Sequence, residues 1–372
     1  MSVLIWTQHL LGTGHLRRAL AVAAALARQG VTTVLASGGP PTKFACPPGV
    51  RFVQLDPVSA GADFRDLRDA AGRPWGEAGR TARKEALLAL VRQVRPRVLV
   101  TEMFPFGRRA FREELLPAID LVHSSGGRVA CSLRDVLVEK ARPEKSAAMR
   151  DLALACYDRI LVHGDPAFLP LGASFPLAGE LAPLLRYTGF VLDRPVRPAP
   201  VRRGILVSAG GGRVGGQLLK AAAVCRIDGA LAGEPWQLVG GAALKDAERE
   251  RLAALRGQSG RVDAHLPDLP ERLAHCRVSV SQAGYNTVAE ALMAAAPMVL
   301  VPYAAGGETE QWRRAARLAE LGRAVLLDEA GLTPGQLALA IAHAAEQDVA
   351  ISRAWSFDGA AASAGLILEL LR

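Results

Sequence analysis

A histidine follows a glycine-bearing turn in the run Leu4–Ala21, LIWTQHLLGTGHLRRALA. The run reads as a short buried strand (Val3–Trp6), a turn at Gly12 and Gly14, and a helix opening at His15. Backbone N–H groups at such a helix start point outward and favour an anion. An imidazole beside an anion site suits proton transfer near neutral pH; its plainer use is as a helix cap. His9, just before the turn, is a rival for the same role, and so is Glu102, which follows the apolar strand Val98–Val100. A carboxylate there orients His15, acts as the base itself, or simply pairs with Arg108 or Arg109. His163-Gly164-Asp165 also follows a strand, but two ligands are too few to specify a metal site.

Two further glycine turns invite phosphate. Ser208-Ala209-Gly210-Gly211-Gly212-Arg213-Val214-Gly215-Gly216 follows the strand Gly204–Ser208 and adds one positive charge. Glycines let a backbone approach a ligand closely, although a flexible strand–helix loop has the same composition. Ser281-Gln282-Ala283-Gly284-Tyr285-Asn286-Thr287-Val288-Ala289-Glu290 turns at Gly284. Asn286 or Thr287 is the expected cap of the next helix, and its exposed N–H groups suit a diphosphate. Glu290 is expected in the first turn, either compensating the helix dipole or accepting hydrogen bonds from a ribose diol.

The familiar nucleotide motifs are excluded. The dinucleotide fingerprint needs a third glycine where Arg17 stands, and a carboxylate after the second strand, where Ser37-Gly38 stand. The triphosphate loop needs lysine where Gln217 follows Gly216. No D-x-D occurs in the chain, so no carboxylate pair of that kind holds a divalent cation.

The elements that must position these residues alternate. Strands are expected at Thr32–Ala36, Val129–Ser132, Ile160–His163, Trp236–Val239 and Met298–Val301, with helices at Arg83–Val94, Thr287–Ala295 and Glu310–Leu321. This is an α/β chain of two doubly wound halves. In such sheets ligands bind at the carboxyl ends of the strands, and two such sheets facing each other make a cleft. The expected division is 1–192, a Pro-rich charged linker 193–203, 204–354, and a last helix within 355–372. A length of 372 residues fits two domains. The net charge of +9 is spread over many arginines and fits an anionic small molecule, a nucleic acid or an anionic membrane surface without selecting one. Five scattered cysteines, with no C-x-x-C, point to reduced thiols and a cytoplasmic setting. The opening residues do not form a signal peptide, and residues 287–305 contain Glu290 and Pro297, which argues against a membrane span.

Together QHLLGTGHLRRA (8–19), TEMFPFGRRAFREELLP (101–117), LVHGDP (161–166), RYTGF (186–190), SAGGG (208–212), SQAGYNTVAEAL (281–292) and ETEQWRRAARLAELG (308–322) resemble glycosyltransferase family 28, of the GT-B fold. The resemblance covers nearly the whole chain and is closest to a group described only as predicted glycosyltransferases, related to the bacterial N-acetylglucosaminyltransferase of peptidoglycan synthesis. It implies a hexosyltransferase-type enzyme with a UDP-sugar as donor substrate, no cofactor and no metal. The transfer would be inverting, onto an acceptor that is lipid-linked in the best-known member. It further implies a cytoplasmic protein peripheral to the inner membrane face and no nucleic-acid partner.

By that resemblance Glu290 holds the ribose hydroxyls, and Gly284, Asn286 and Thr287 face the diphosphate. Ser208, Gly210, Gly211, Gly212 and Arg213 contact the phosphates from the other side. Glu310 and Gln311 meet the sugar, His265 and Leu266 wall the uracil, and Gly12, Gly14 and His15 form the family's glycine–histidine turn, with Glu102 nearby. Gln282 departs from the arginine of the peptidoglycan enzyme, which leaves Arg213 as the charge at the phosphates. Phe104, Phe106, Arg108, Arg109 and Phe111 form either a lipid-engaging surface or a buried packing segment. Two other readings remain open: a UDP-sugar hydrolase sharing the turn Gly12, Gly14, His15, Arg18, and a non-catalytic nucleotide-sugar-binding protein. Epimerases share the architecture as well, and a shared fold does not fix function.

Overall fold

The computed structural model describes residues 1–61, 66–138, 143–210, 215–241, 244–257, 260–303, 309–347 and 355–372. The chain forms two compact units, Met1–Asp193 with Trp355–Arg372, and Arg194–Ala354.

In the first unit β1 (Ser2–Thr7) leads into α1 (Gly14–Arg28), then β2 (Thr32–Ser37) and β3 (Val50–Gln54). An antiparallel pair of two-residue strands, β4 (Ser59–Ala60) with β5 (Leu67–Arg68), precedes α2 (Glu77–Val94). There follow β6 (Val98–Glu102), α3 (Arg112–Ser124), β7 (Arg128–Arg134), α4 (Pro143–Cys156), β8 (Arg159–His163) and β9 (Leu185–Tyr187). The other seven strands form one parallel sheet in the order β3-β2-β1-β6-β7-β8-β9. Alternate strand residues serve opposite faces. Leu4, Trp6 and Leu99 join the core under α2 and α3, whereas Val3, Ile5 and Val100 pack with Leu16, Leu20 and Leu26 of α1.

The second unit repeats the plan. It contains β10 (Ile205–Ser208), α5 (Gly216–Val224), β11 (Trp236–Val239), α6 (Asp246–Arg256), β12 (Gly260–Asp263), α7 (Leu269–His275), β13 (Val278–Ser281), α8 (Tyr285–Met293), β14 (Met298–Leu300), α9 (Glu310–Glu320), β15 (Val325–Leu326) and α10 (Pro334–Glu346). Its parallel sheet runs β12-β11-β10-β13-β14-β15. Read in order of appearance this is 3-2-1-4-5-6, the doubly wound Rossmann arrangement. Thr333 caps α10 through a reciprocal capping box with Gln336.

Residues 194–203 are held along the second unit. Arg194 pairs with Glu271 at 2.9 Å, Ala199 N–H donates to the Ala274 carbonyl at 3.2 Å, and Arg203 N–H donates to that of His275 at 2.8 Å. The last helix, α11 (Gly359–Leu370), packs on the first unit: Ala364, Ile367 and Leu371 share a core with Val3, Ile5 and Leu16. Its entry is fixed at Gly189, whose φ of +79° favours glycine and whose Cβ would lie 2.6 Å from the Ser356 carbonyl oxygen. Among the described residues no helix is long and apolar enough to cross a membrane.

Candidate active site

In each sheet the strand order reverses at one place, and in open α/β sheets ligands bind outside the carboxyl ends of the strands there. In the first unit that place lies between β1 and β6. The turn after β1 and the last residue of β6 therefore meet. Glu102 ends β6 rather than following it, and its Oε1 accepts from His15 Nδ1 at 2.7 Å. Arg18, one helical turn beyond His15, donates to the same oxygen at 2.5 Å. Glu102 thus pairs with Arg18 and His15, not with Arg108 or Arg109 as the simple surface alternative would have it.

The three side chains set one another's protonation. Burial disfavours the Glu102 carboxylate, but the hydrogen bond from His15 and the Arg18 and Arg108 charges outweigh it and hold the carboxyl well below its usual range. Burial likewise lowers the His15 pKa below 6.5, against the pull of Glu102, so the imidazole is neutral at pH 7. Since Nδ1–H faces an anion, the lone pair is on Nε2. This is the orientation a general base requires. Glu102 Oε2, fully buried, has no hydrogen-bond partner among the described residues.

A buried network places the turn. Arg83 pairs with Glu114 at 2.7 Å and donates to Gln8 Oε1 at 2.9 Å, while Gln8 Nε2 donates to the carbonyls of His9 and Val58. Trp6 Nε1 donates to Glu114 at 3.0 Å. His9 lies behind the turn, 2% exposed, with Nε2 against the Pro40 carbonyl oxygen at 2.9 Å. His163 is fully buried between Ser132 Oγ (2.7 Å) and Thr188 Oγ1 (3.0 Å), which occupies both ring nitrogens and leaves none for a metal. Phe104, Phe106 and Phe111 are core residues, so the lipid-surface reading of these rings does not hold.

Helix α1 begins at Gly14 with no side-chain cap and no acidic residue in its first turn. Gly12 has no positive φ, and a Cβ there would meet nothing within 4 Å. The fold itself does not require glycine at that position.

In the second unit the reversal lies between β10 and β13, which end at Ser208 and Ser281. Gly210 has φ +73°. Gly211, Gly212 and Arg213 lie outside the described residues. Helix α8 starts earlier than its capping residues suggest. Gly284 is the N-cap, no side chain caps the helix, and Asn286 and Thr287 are its second and third residues. Glu290 consequently falls in the second turn, 2% exposed, not in the first turn where it would neutralise the helix end. Glycine is free of backbone constraint at Gly284 too: φ is −66° and a Cβ would be in open space.

Two side chains brace this turn, and sequence alone identified neither of them in that role. Gln282, in the amide orientation that satisfies both ends, donates to the Ala209 carbonyl at 2.9 Å and accepts from Gly215 N–H at 3.3 Å. It clasps the two ends of the glycine loop. Arg314, fully buried, donates to the Ala283 carbonyl at 2.6 Å and to Glu310 at 3.0 Å. Glu310 is thereby engaged inside the unit. Gln311 Oε1 accepts from Tyr303 N–H at 3.1 Å. The i, i+4 spacing of Glu310 and Arg314 was the available signal for that pair. His265 is exposed and Leu266 half-buried in the loop after β12, at the same sheet edge.

Two Rossmann-like units, each with a glycine turn at its switch point, define the GT-B class. Residues 240–355 match the glycosyltransferase family 28 C-terminal domain. The chain is 28% identical over 327 residues to the UDP-N-acetylglucosamine–N-acetylmuramyl-(pentapeptide) pyrophosphoryl-undecaprenol N-acetylglucosamine transferase of Xylella fastidiosa, covering 85% of this chain and 80% of that one. It is 32% identical over 111 residues to the enzyme of the same name from Zymomonas mobilis, where the match spans 30% of this chain and only 29% of the relative. Among solved structures, Acinetobacter baumannii MurG superposes with a TM-score of 0.65 at 17% identity, covering 99% of this chain and 100% of that one. The glycotransferase of kitacinnamycin superposes at 0.66 and 18% identity, covering 100% and 99%. The chain is thus similar to family 28 glycosyltransferases over residues 240–355 and has the GT-B fold throughout.

Proposed function

We propose that the protein transfers a sugar from a UDP-linked donor to an acceptor hydroxyl by a single inverting displacement, without a metal ion. The His15–Glu102 pair carries this reading: a neutral imidazole, oriented through Nδ1 by a buried carboxylate, at the switch point where substrate binds in such sheets. His15 Nε2 takes the proton of the attacking hydroxyl. The oxygen bonds to the anomeric carbon as the bond from that carbon to the diphosphate breaks, and UDP departs with the electron pair.

The second unit supplies the nucleotide site. The uncapped α8 start offers N–H groups and the positive end of a helix dipole to the diphosphate. Gly284 leaves room for it, and Glu290, buried one turn on, suits the ribose diol. By the family resemblance Gly210 and Arg213 would contact the phosphates and His265 and Leu266 would flank the base; Gln311 is the better candidate of its pair for the sugar, since Glu310 is bound to Arg314. The absence of D-x-D in the chain supports charge neutralisation by helix N–H groups and arginine. The relatives' printed names support a UDP-N-acetylglucosamine donor and a lipid-linked acceptor.

The test is UDP release from a panel of UDP-sugars with excess EDTA, for wild type and His15→Ala. Donor binding with slow release, accelerated by an added cell-extract acceptor and abolished in His15→Ala, is the expected result. Fast stoichiometric hydrolysis without acceptor would make water the acceptor, and loss of turnover in EDTA would remove the metal-free mechanism.

A further inference from the structure

The apolar face that the first sheet turns toward α1 ends in a polar layer. Ile5, Leu35, Val100, Ala130 and Leu161 share one core with α1. Side chains alternate along a strand, so the residues two positions on, Thr7, Ser37, Glu102, Ser132 and His163, lie on the same face toward the carboxyl ends of β1, β2, β6, β7 and β8. All five are buried. Thr7 stands opposite Ser37, and Glu102 opposite Ser132. The β1–β6 register runs to Trp6 opposite Thr101, so the next residues, Thr7 and Glu102, are neighbours as well.

Arg18 and His15 both meet Oε1 of Glu102. Its Oε2, Thr7 Oγ1 and Ser37 Oγ are buried with no hydrogen-bond partner among the described residues. Ser132 has no proton to give Oε2. The Thr188 hydroxyl donates to the Gly189 carbonyl at 2.9 Å, so it accepts from His163 Nδ1–H, and His163 Nε2 takes the single Ser132 hydroxyl proton at 2.7 Å. The donor left beside Oε2 is the Thr7 hydroxyl. Adjacent strands stand about 4.8 Å apart, a gap too wide for one O–H···O bond of about 2.8 Å but suited to two such bonds through a water. A cation is the poorer bridge, because the Arg18 and Arg108 charges already act on Glu102. A buried water makes about three hydrogen bonds, and Thr7, Ser37 and Oε2 supply them.

We infer that Thr7 is a positioning residue for His15: through one buried water its hydroxyl holds Oε2 of Glu102 and fixes the plane of the carboxylate that orients the imidazole. The terminal torsion of a glutamate is broad, and contacts to Oε1 alone leave the carboxylate free to pivot. A second contact on Oε2 removes that freedom and keeps the His15 proton on Nδ1, with the lone pair on Nε2. The consequence for turnover rests on the proton transfer proposed above; the contact and its effect on the imidazole do not.

The experiment compares the full chain as wild type, Thr7→Val, which keeps the shape and removes the hydroxyl, and Thr7→Ser, which restores it. Nitrogen-15 shifts of labelled histidine at pH 7, without substrate and with His15→Ala to assign the signal, report which ring nitrogen carries the proton. Wild type and Thr7→Ser should hold it on Nδ1, and Thr7→Val should show a mixture of the two tautomers. A high-resolution crystal structure of the wild type should place a water within about 3.2 Å of both Thr7 Oγ1 and Glu102 Oε2. In Thr7→Val, kcat should fall by about tenfold with the donor KM nearly unchanged, and Thr7→Ser should recover most of the loss. An unchanged His15 tautomer in Thr7→Val overturns the positioning role, as does a raised donor KM with kcat intact. Electron density that shows a cation, or no water between the two oxygens, overturns the bridge, and this arm stands even if Thr7→Val fails to fold. Absence of turnover by wild type with every UDP-sugar removes the transferase reading instead, and the tautomer and the water still decide the role of Thr7.

Discussion

His15 and Glu102, separated by 87 positions in the chain, are joined by a 2.7 Å hydrogen bond because β1 and β6 lie side by side. The carboxylate holds the imidazole proton on Nδ1. Replacing Glu102 by Gln supplies an amide that donates to Nδ1 and drives the proton to Nε2. Turnover should fall by about 10²–10⁴-fold, the usual worth of a general base. His15→Ala should lose a similar factor, and the double variant little more, because the pair acts as a unit. Independent, multiplying losses in initial-rate assays would separate the two residues.

The pH profile follows from the direction of the His15 shift. Its folded pKa lies below 6.5, so the base stays unprotonated and kcat/KM should be level from about pH 8 down to about 6. An acid limb centred at 6.5 or above would report an ordinary, solvated imidazole.

Stability should move with pH in the same sense. His15 and His163 both have lowered folded pKa values, the latter to about 3 through burial. Between those values and 6.5 the unfolded chain binds more protons, so stability falls as pH drops below 6.5. Glu102, also lowered, adds stability that is present above its unfolded pKa of 4.5 and lost as pH falls further. Thermal unfolding should show a midpoint that declines from pH 7 to pH 4; a midpoint rising on acidification would contradict the burial of these groups.

Two glycines separate ligand binding from folding. Gly12→Ala and Gly284→Ala meet open space at ordinary φ, so each should leave the melting temperature unchanged or raise it, by about 0.4–1 kcal/mol of stability. Gly284→Ala should nevertheless weaken UDP by about tenfold, equivalent to about 1.4 kcal/mol. Unaltered UDP affinity measured by calorimetry would place the diphosphate elsewhere.

Glu290 is tested by its proposed partner. Glu290→Gln should weaken UDP by roughly 1.5–3 kcal/mol, the range for a hydrogen bond to a charged group. It should weaken 2′,3′-dideoxy-UDP much less. Equal losses for both nucleotides would show that Glu290 does not contact the ribose.

The buried pair Arg83–Glu114 gives a structural prediction. Glu114→Ala removes the carboxylate that Arg83 and Trp6 Nε1 share, and breaking such a pair costs about 3–5 kcal/mol. Urea denaturation of the variant should show this loss; a change under about 1 kcal/mol would mean that water replaces the carboxylate.

The alternation of buried strands and amphipathic helices was legible because interior parallel strands such as Leu99 and Val100, or Val278 and Val280, are short apolar runs. Edge strands were not. In β3, Val-Arg-Phe-Val-Gln, three of five residues are exposed, so it carries no such run, and β9 is only Leu-Arg-Tyr. Helix α2 begins at Glu77, six residues before the periodic apolar pattern starts, because its first turns face solvent. At the site, residue type and turn chemistry singled out His15 and Glu102. Their contact depends on strand order, which sequence order does not display because β2 to β5 intervene. The bracing roles of Gln282 and Arg314 depend on where a loop's two ends return, a tertiary matter with no local signature.

Helix α11 makes the first unit discontinuous. Ala364, Ile367 and Leu371 complete the core that Val3, Ile5 and Leu16 begin, and the whole second unit lies between them in the chain. A ribosome therefore releases the second unit's residues before the first can bury its α1 face. At ordinary synthesis rates of about 5–20 residues per second, the 161 residues from Arg194 to Ala354 keep that apolar surface waiting for roughly 8–32 seconds. The half that carries His15 is the last to mature, so a nascent chain completes the unit holding Gly284 and Glu290 before the unit holding His15 and Glu102.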